Sequence, residues 1–85
     1  MHSTPAPPSA PPAAVIRLRL DRFEALAAEH GLTTDKEWAE RIGVDRSTFN
    51  RVRRGEIVPG ERFIGGCLMA FPGAKFEDMF AVVAA

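Results

Sequence analysis

Residues 35–54 read DKEWAERIGVDRSTFNRVRR, and the spacing of their small, apolar and basic side chains decides the predicted fold. Ala39 is small enough for a second helix to cross closely. Gly43, four residues later, can adopt the left-handed turn conformation that strains other residues. The apolar positions around these two residues are Trp38, Ile42, Val44, Phe49 and Val52. This pattern predicts a short helix, a tight turn and a second short helix.

The second of these helices has a basic outer side. Phe49 and Val52 share its inward face, so the polar residues around them are expected to face outward. Those residues are Arg46, Ser47, Asn50, Arg51, Arg53 and Arg54. Residues 45–54 contain four arginines and a single acid. Two short helices joined by a tight turn, with arginines along the second, are the parts that a reader of the DNA major groove needs.

The chain as a whole carries no excess charge. Its 11 lysines and arginines balance its 11 aspartates and glutamates. This balance argues against a strong polyelectrolyte binder. The local arginine cluster instead favours weak, salt-sensitive binding to an anionic partner.

Length and composition indicate one small folded domain. The chain has 85 residues, and residues 1–14, MHSTPAPPSAPPAA, are dense in proline and alanine. We predict that residues 1–14 form a disordered tail, because they lack the apolar side chains that a core needs, and that residues 15–85 form the domain. We also predict no signal peptide, no membrane span and a cytoplasmic location. The single Cys67 excludes an internal disulfide, and its apolar neighbours predict a buried thiol.

Hydrophobic periodicity predicts the elements that flank the central helices. The alternation in VIRLRL, residues 15–20, predicts a short strand that pairs with a strand near the C-terminus. The complete set is a strand at 15–20, helices at 22–30, 35–42, 45–54 and 61–71, a helical turn at 76–79 and a short strand after it. Asp21 is expected to cap the first helix and Gly31 to end it. Three start points stay open, with Thr34 or Asp35 as the cap of the second helix, Val44 or Asp45 at the start of the third, and Gly60 or Glu61 at the start of the fourth.

The fourth helix has a predicted buried stripe. Its members are Phe63, Ile64, Cys67, Leu68 and Phe71. Gly65 and Gly66 lower the intrinsic stability of this helix, and we expect them to let another helix approach closely.

The quoted stretch matches the helix-turn-helix signature at its structural positions, which are Trp38, Ala39, Ile42, Gly43, Val44, Phe49 and Val52. The wider chain resembles the phage repressor and Cro type of helix-turn-helix protein, especially small actinobacterial and actinophage regulators. The segments GVDRSTFNRVRRGE, PGERFIGGCLMAFPG and FEDMF carry the resemblance, which covers residues 15–83. It implies a mainly α, compact lambda-repressor-like domain of four to five helices, to which the end segments add a small two-stranded pairing. The alternative is a helical hairpin that packs without touching DNA.

The resemblance implies that the first part of the third helix reads base edges. The implied base-reading residues are Arg46, Ser47, Thr48, Asn50 and Arg51. Arg46 can donate two hydrogen bonds to guanine O6 and N7, and Asn50 can pair with adenine N6 and N7. For each arginine the alternative is a solvated surface charge.

A second group of residues is expected to contact the DNA backbone. Its members are Lys36, Arg53, Arg54, Gly60 and Arg62. Gly60 opens the fourth helix, whose free amides favour a phosphate, and Arg62 can assist. Many relatives have an uncharged polar residue at the position of Asp35. A carboxylate repels phosphate, so Lys36 is the predicted substitute contact at the start of the second helix.

No other chemistry is indicated. His2, His30 and Cys67 lack the spacing of metal ligands, so we expect neither a metal nor a cofactor. The chain has no serine–histidine–acid set, phosphate loop or paired carboxylates, so we expect no catalytic residue, no enzyme activity and no small-molecule ligand. Trp38 is predicted to pack in the core.

These patterns predict a sequence-specific transcriptional regulator of the repressor type that binds double-stranded DNA and places residues 45–54 in the major groove of an operator. One recognition helix reads only a few base pairs, so a homodimer on a palindromic site is expected. The alternative is an antitoxin-like or adaptor module that binds a protein through its apolar C-terminal part. RNA binding has less support, because the chain lacks aromatic residues arranged as a stacking platform on an exposed sheet.

Overall fold

The computed structural model describes residues 14–84, and its elements are mostly short helices. In chain order they are β1 (Ala14–Leu18), α1 (Leu20–Glu29), α2 (Asp35–Ile42), α3 (Arg46–Arg53), α4 (Glu61–Ala70), α5 (Phe76–Met79) and β2 (Phe80–Ala84). The mainly helical class is therefore confirmed for this part of the chain. None of the helices between residues 14 and 84 is long and apolar enough to cross a membrane.

The two ends of the described chain form one antiparallel sheet. β1 pairs with β2 in a register that sets Ala14 opposite Ala84 and Leu18 opposite Phe80, which confirms the predicted pairing. The first strand ends at Leu18 rather than at residue 20, because Arg19 is the N-cap residue of α1, which begins at Leu20. The N–H of Arg19 still donates to the Met79 carbonyl oxygen, at 2.8 Å. Ala14 belongs to the strand, not to the predicted tail. The rest of that tail, residues 1–13, lies outside the described residues.

The first helix begins two residues earlier than predicted. Arg19 is its N-cap residue, without a side-chain capping bond, and Asp21 lies in the first turn. The Asp21 carboxylate accepts a hydrogen bond from the N–H of Arg22 at 2.9 Å. Predicting Asp21 as the cap was therefore wrong. The predicted end is confirmed, because Gly31 has a φ of 76° and the chain turns there.

An aromatic cluster forms the centre of the core. Phe23 of α1 is fully buried, and its ring centroid lies 5.8 Å from that of Trp38, 5.5 Å from that of Phe49 and 5.8 Å from that of Phe71. Pairs at this separation add to the free energy of area burial, typically by about 0.5–1.5 kcal/mol each. The indole N–H of Trp38 donates to the Leu32 carbonyl oxygen at 3.1 Å, which satisfies the polar end of a buried ring. Trp38 is therefore a core residue, as predicted.

Helix α4 has the predicted buried stripe, with Phe63, Cys67 and Phe71 buried and Ile64 and Leu68 partly buried against them. Desolvation raises the pKa of the Cys67 thiol to about 12, so the group stays protonated near neutral pH. Burial and this pKa agree with a structural cysteine rather than a reactive one.

Two adjacent glycines of α4 differ in their surroundings. A Cβ on Gly66 would overlap the Ile42 carbonyl oxygen at the end of α2 and lie 3.0 Å from the carbonyl carbon. Gly65 has no neighbouring atom within 4 Å of the same position. Close approach of another helix therefore depends on Gly66, and the expectation was wrong for Gly65.

We expect Gly66→Ala to destabilise the domain by about 1–3 kcal/mol, because the added methyl group must separate α4 from α2. Gly65→Ala is the matched control and should stabilise the domain by about 0.5–1 kcal/mol, because alanine favours the helical backbone. Urea unfolding of both variants measures the difference. Equal effects of the two substitutions would contradict the packing of α2 against α4.

Candidate functional site

The start of α2 is held by a reciprocal cap. The hydroxyl of Thr34 accepts a hydrogen bond from the N–H of Glu37 at 3.2 Å. In return, the Glu37 carboxylate accepts from the N–H groups of Thr33 at 2.8 Å and Thr34 at 3.2 Å. These backbone donors lower the pKa of Glu37 below its ordinary value. The cap resolves the open choice in favour of Thr34 and places Asp35 at the first helical position.

A three-residue turn leads from α2 to α3. Gly43 has a φ of 82°, and the N–H groups of Gly43 and Val44 both donate to the Ala39 carbonyl oxygen, at 2.9 and 3.0 Å. Asp45 is the N-cap residue and α3 begins at Arg46, so the helix starts one residue after Asp45 and two after Val44, the two start points that the sequence left open. Because another residue would be strained at the φ of Gly43, this glycine fixes the direction in which α3 leaves the turn.

The inward face of α3 is as predicted, with Phe49 at 0% and Val52 at 5% exposure. The side chains of Ser47 and Arg51 lie opposite Phe49, those of Arg46 and Arg53 lie on one flank of the buried face, and all four are exposed. Arg54 is exposed at the C-cap. An eight-residue helix is about 12 Å long, so these groups occupy a short, dense basic surface.

Asp35 joins the start of α2 to α3. One carboxylate oxygen, Oδ1, lies 3.1 Å from Nε of Arg46, and the other, Oδ2, accepts a hydrogen bond from Nδ2 of Asn50 at 3.1 Å. Arg46 and Asn50 are four residues apart and therefore neighbours on the same side of the helix, so one carboxylate can contact both. The hydrogen bond from Asn50, and then the contact with Arg46, hold the pKa of Asp35 below its ordinary value.

Asn50 does not face outward as predicted. Its side chain is half-buried and points towards α2, and its amide nitrogen donates to Asp35. Its amide oxygen Oδ1 is buried and accepts no hydrogen bond from residues 14–84. The sequence pattern missed this because Asn50 lies at the border of the buried face, where the neighbouring helix decides its direction.

Glu56 forms a second acidic contact, just beyond α3. Its carboxylate accepts from Nε of Arg54 at 2.8 Å and from Nη2 at 3.4 Å, and it lies 3.8 Å from Nε of Arg51. The hydrogen bond with Arg54 lowers the pKa of Glu56 and raises the pKa of Arg54. Glu56 was not among the predicted site residues, although its position two residues after Arg54 made a local ion pair predictable.

The start of α4 lies beside the start of α3. Thr48 is half-buried and lines a depression of about 320 Å³ that Gly60 and Arg62 also line. The structure therefore brings these three predicted site residues together. Lys36, at the second position of α2, is exposed, as are Gly60 and Arg62.

A cavity of about 500 Å³ lies between α1 and the segment that joins α4 to α5. Leu26, His30 and Phe71 line it, with Arg22 and Asp78 among its charged residues. It shares no residue with the basic surface of α3. Within residues 14–84, no cluster of three or more histidine, cysteine or acidic side chains could hold a metal ion.

Comparison of the chain with protein-family models, with curated proteins and with solved structures finds no match in any of the three. The resemblance to the phage repressor and Cro type therefore stays a prediction from the residue pattern.

The three carboxylates that hold this region together predict a loss of stability in acid. The pKa values of Asp35 and Glu37 are lowered in the fold from ordinary values of 3.8 and 4.5, and that of Glu56 is lowered likewise. A lowered pKa in the folded state stabilises the protein above the unfolded pKa, and that contribution is lost as the pH falls through the folded value. We therefore expect the melting temperature to be steady near neutral pH and to fall below about pH 4.

Glu37→Gln tests the cause of this pH dependence. Glutamine can keep the cap but does not titrate, so the variant should melt near the wild-type temperature at pH 7 and lose less stability on acidification. Glu24→Gln is the control, because Glu24 is exposed on α1 and makes no side-chain hydrogen bond or ion pair with the described residues. If both variants follow the wild-type curve, the Glu37 cap does not contribute to the acid sensitivity.

Proposed function

We propose that this protein is a sequence-specific regulator of transcription that binds double-stranded DNA. In this proposal α2 and α3 are a helix-turn-helix, and α3 enters the major groove of an operator. The observation that carries it is the division of α3 into a buried side and an arginine-rich exposed side. A helical hairpin that served packing alone would not need arginines concentrated on its outer face.

Base reading is proposed for the exposed side chains of the first and second turns of α3. Arg46 can present a guanidinium to guanine O6 and N7, and Ser47 beside it can bond to any base edge. Arg51 lies one turn after Ser47, on the same exposed face. Thr48 and Asn50 remain in the proposed site, but both are half-buried, so their contribution requires a small rearrangement or acts through their neighbours.

Backbone contacts are proposed at the edges of this surface. Arg53 and Arg54 lie at the end of α3 and Lys36 at the start of α2. Gly60 and Arg62 lie at the start of α4, where the first amides of a ten-residue helix favour an anion. Such contacts position the protein on the duplex without reading sequence.

A homodimer completes the proposal. A single eight-residue recognition helix on a protein of zero net charge reads few base pairs and gains little from general electrostatics. Two copies on a palindromic site would double the number of base pairs read and the number of phosphates contacted. Binding would take place in the cytoplasm, where bacterial operators are.

A protein-interaction module, antitoxin-like or adaptor, is the second candidate function. It is favoured by large apolar side chains that stay exposed near the C-terminus. Met69 is 83% exposed, Val82 62% and Val83 39%. Such a module would bind its partner equally well without the arginines of α3.

Selection of bound sites from a random duplex pool tests the proposal. We expect the wild type to enrich a palindromic motif at about physiological salt, and Arg46→Ala and Arg51→Ala to lose it. Arg22→Ala on α1 is the control for removing a positive charge away from α3. Absence of an enriched motif, or enrichment that survives both α3 substitutions, would favour the interaction module.

We expect Arg46→Ala to cost about 1–3 kcal/mol of specific binding and to relax selectivity at one base position, because a base-edge contact is lost. Titration of the enriched duplex and of its single-base variants measures both effects. An equal loss on all sequences would instead make Arg46 a phosphate contact.

Arg54→Ala should weaken binding to all duplexes alike and reduce the slope of log affinity against log salt by about 1, because one phosphate contact is lost. The measurement is a salt titration of wild type and variant on the enriched duplex and on a scrambled one. An unchanged slope would remove Arg54 from the set of phosphate contacts.

A further inference from the structure

Much of the basic surface is already paired with acids of the same molecule. Arg46 lies against Asp35, and Arg51 and Arg54 lie against Glu56. Of the four arginines between residues 45 and 54, Arg53 alone makes no ion pair with the described residues. A phosphate that approaches this surface must therefore compete with internal carboxylates.

The two carboxylates differ in freedom. The Asp35 side chain is only 18% exposed, and Asn50 holds its second oxygen at 3.1 Å. The Glu56 side chain is 50% exposed and follows the end of the helix. Asp35 is therefore held beside Arg46. Glu56 can instead move into solvent when Arg51 and Arg54 contact DNA.

We infer that Asp35 is a specificity-determining residue of the proposed DNA interface, one that disfavours phosphate contact by Arg46 and permits base contact. This inference rests on the proposed function. Asp35 acts through Arg46 and is a positioning residue.

Arginine has enough donors to contact Asp35 and a base at the same time. A guanidinium has five N–H donors in a planar fork, so Arg46 can keep Nε on Asp35 while its two terminal nitrogens donate to one guanine. Contact with a phosphate instead brings a second anion beside a fixed carboxylate, and the two repel each other. The penalty therefore falls mainly on the non-specific complex, in which phosphate is the only partner for Arg46.

Asp35→Asn tests the inference, because asparagine keeps the shape and removes the charge. We expect its affinity for a scrambled duplex to rise by about threefold to tenfold in 0.1 M salt, with a steeper salt dependence. The affinity for the enriched duplex should change less, so the ratio of specific to non-specific affinity falls. Asp35→Ser removes the same charge with a different side chain, and it should also lower the ratio of specific to non-specific affinity. This second variant keeps the test valid if asparagine disturbs folding.

Two controls separate the contacts of Asp35 from general charge. Glu24→Gln makes the same change in net charge on α1, away from the basic surface of α3, and should leave the ratio of specific to non-specific affinity unchanged. Glu56→Gln makes the same change in charge beside α3. Glu56 lies 2.8 Å from Arg54, a proposed phosphate contact, and 3.8 Å from Arg51, a proposed base-reading residue. Because the closer pair is the one with Arg54, we expect this variant to raise the affinity for both duplexes by a similar factor. Melting curves of all variants identify any loss of folding.

The outcomes distinguish failure of the role inferred for Asp35 from failure of the proposed DNA binding. If the wild type enriches a motif but Asp35→Asn keeps the wild-type ratio, or Glu56→Gln lowers the ratio as much, the inference is wrong and the proposed function stands. If neither the wild type nor any variant binds DNA, the proposed function fails, and the inference fails with it. A ratio lowered by the Asp35 substitutions alone supports both.

Discussion

Phe49 is fully buried at the meeting point of the other helices, and this single burial orients the surface of α3. Its ring centroid lies 5.5 Å from that of Phe23, 5.6 Å from that of Trp38 and 5.7 Å from that of Phe63, so α1, α2 and α4 all contact α3 through one side chain. With 3.6 residues per turn, fixing one position inward fixes the direction of every other. The exposure of the arginines therefore follows from the packing of a phenylalanine.

The remainder of the framework keeps that burial in place. Gly43 sets the angle at which α3 leaves α2, and Gly66 lets α4 lie against the end of α2, where even one methyl group would overlap the Ile42 carbonyl oxygen. β1 and β2 pair the two ends of the described chain and pack Ile16 and Leu18 against the core. A small domain buries a smaller fraction of its surface than a large one, so the loss of any of these packings removes a larger share of its core.

The basic surface of α3 carries less net positive charge than its number of arginines suggests. The surface is rich in arginine, yet Asp35 and Glu56 neutralise much of it locally. A phosphate-binding surface without acids would bind any duplex, because backbone phosphates are the same in every sequence. We infer that the fixed carboxylate of Asp35 shifts the balance towards contacts that only a particular base sequence can supply, which is the property that the proposed regulator needs.

The sequence by itself determined the elements and their inward faces. The helical turn Phe76–Met79, the turns at Gly31 and Gly43, and the buried rings of Phe49 and Phe63 all follow from periodicity and local backbone preference, which act over a few residues. Only the tertiary structure decided which of Gly65 and Gly66 meets another helix, and that Asp35 contacts Arg46 and Asn50. Those facts depend on distances of a few ångströms between groups far apart in the chain, and no local pattern encodes such distances.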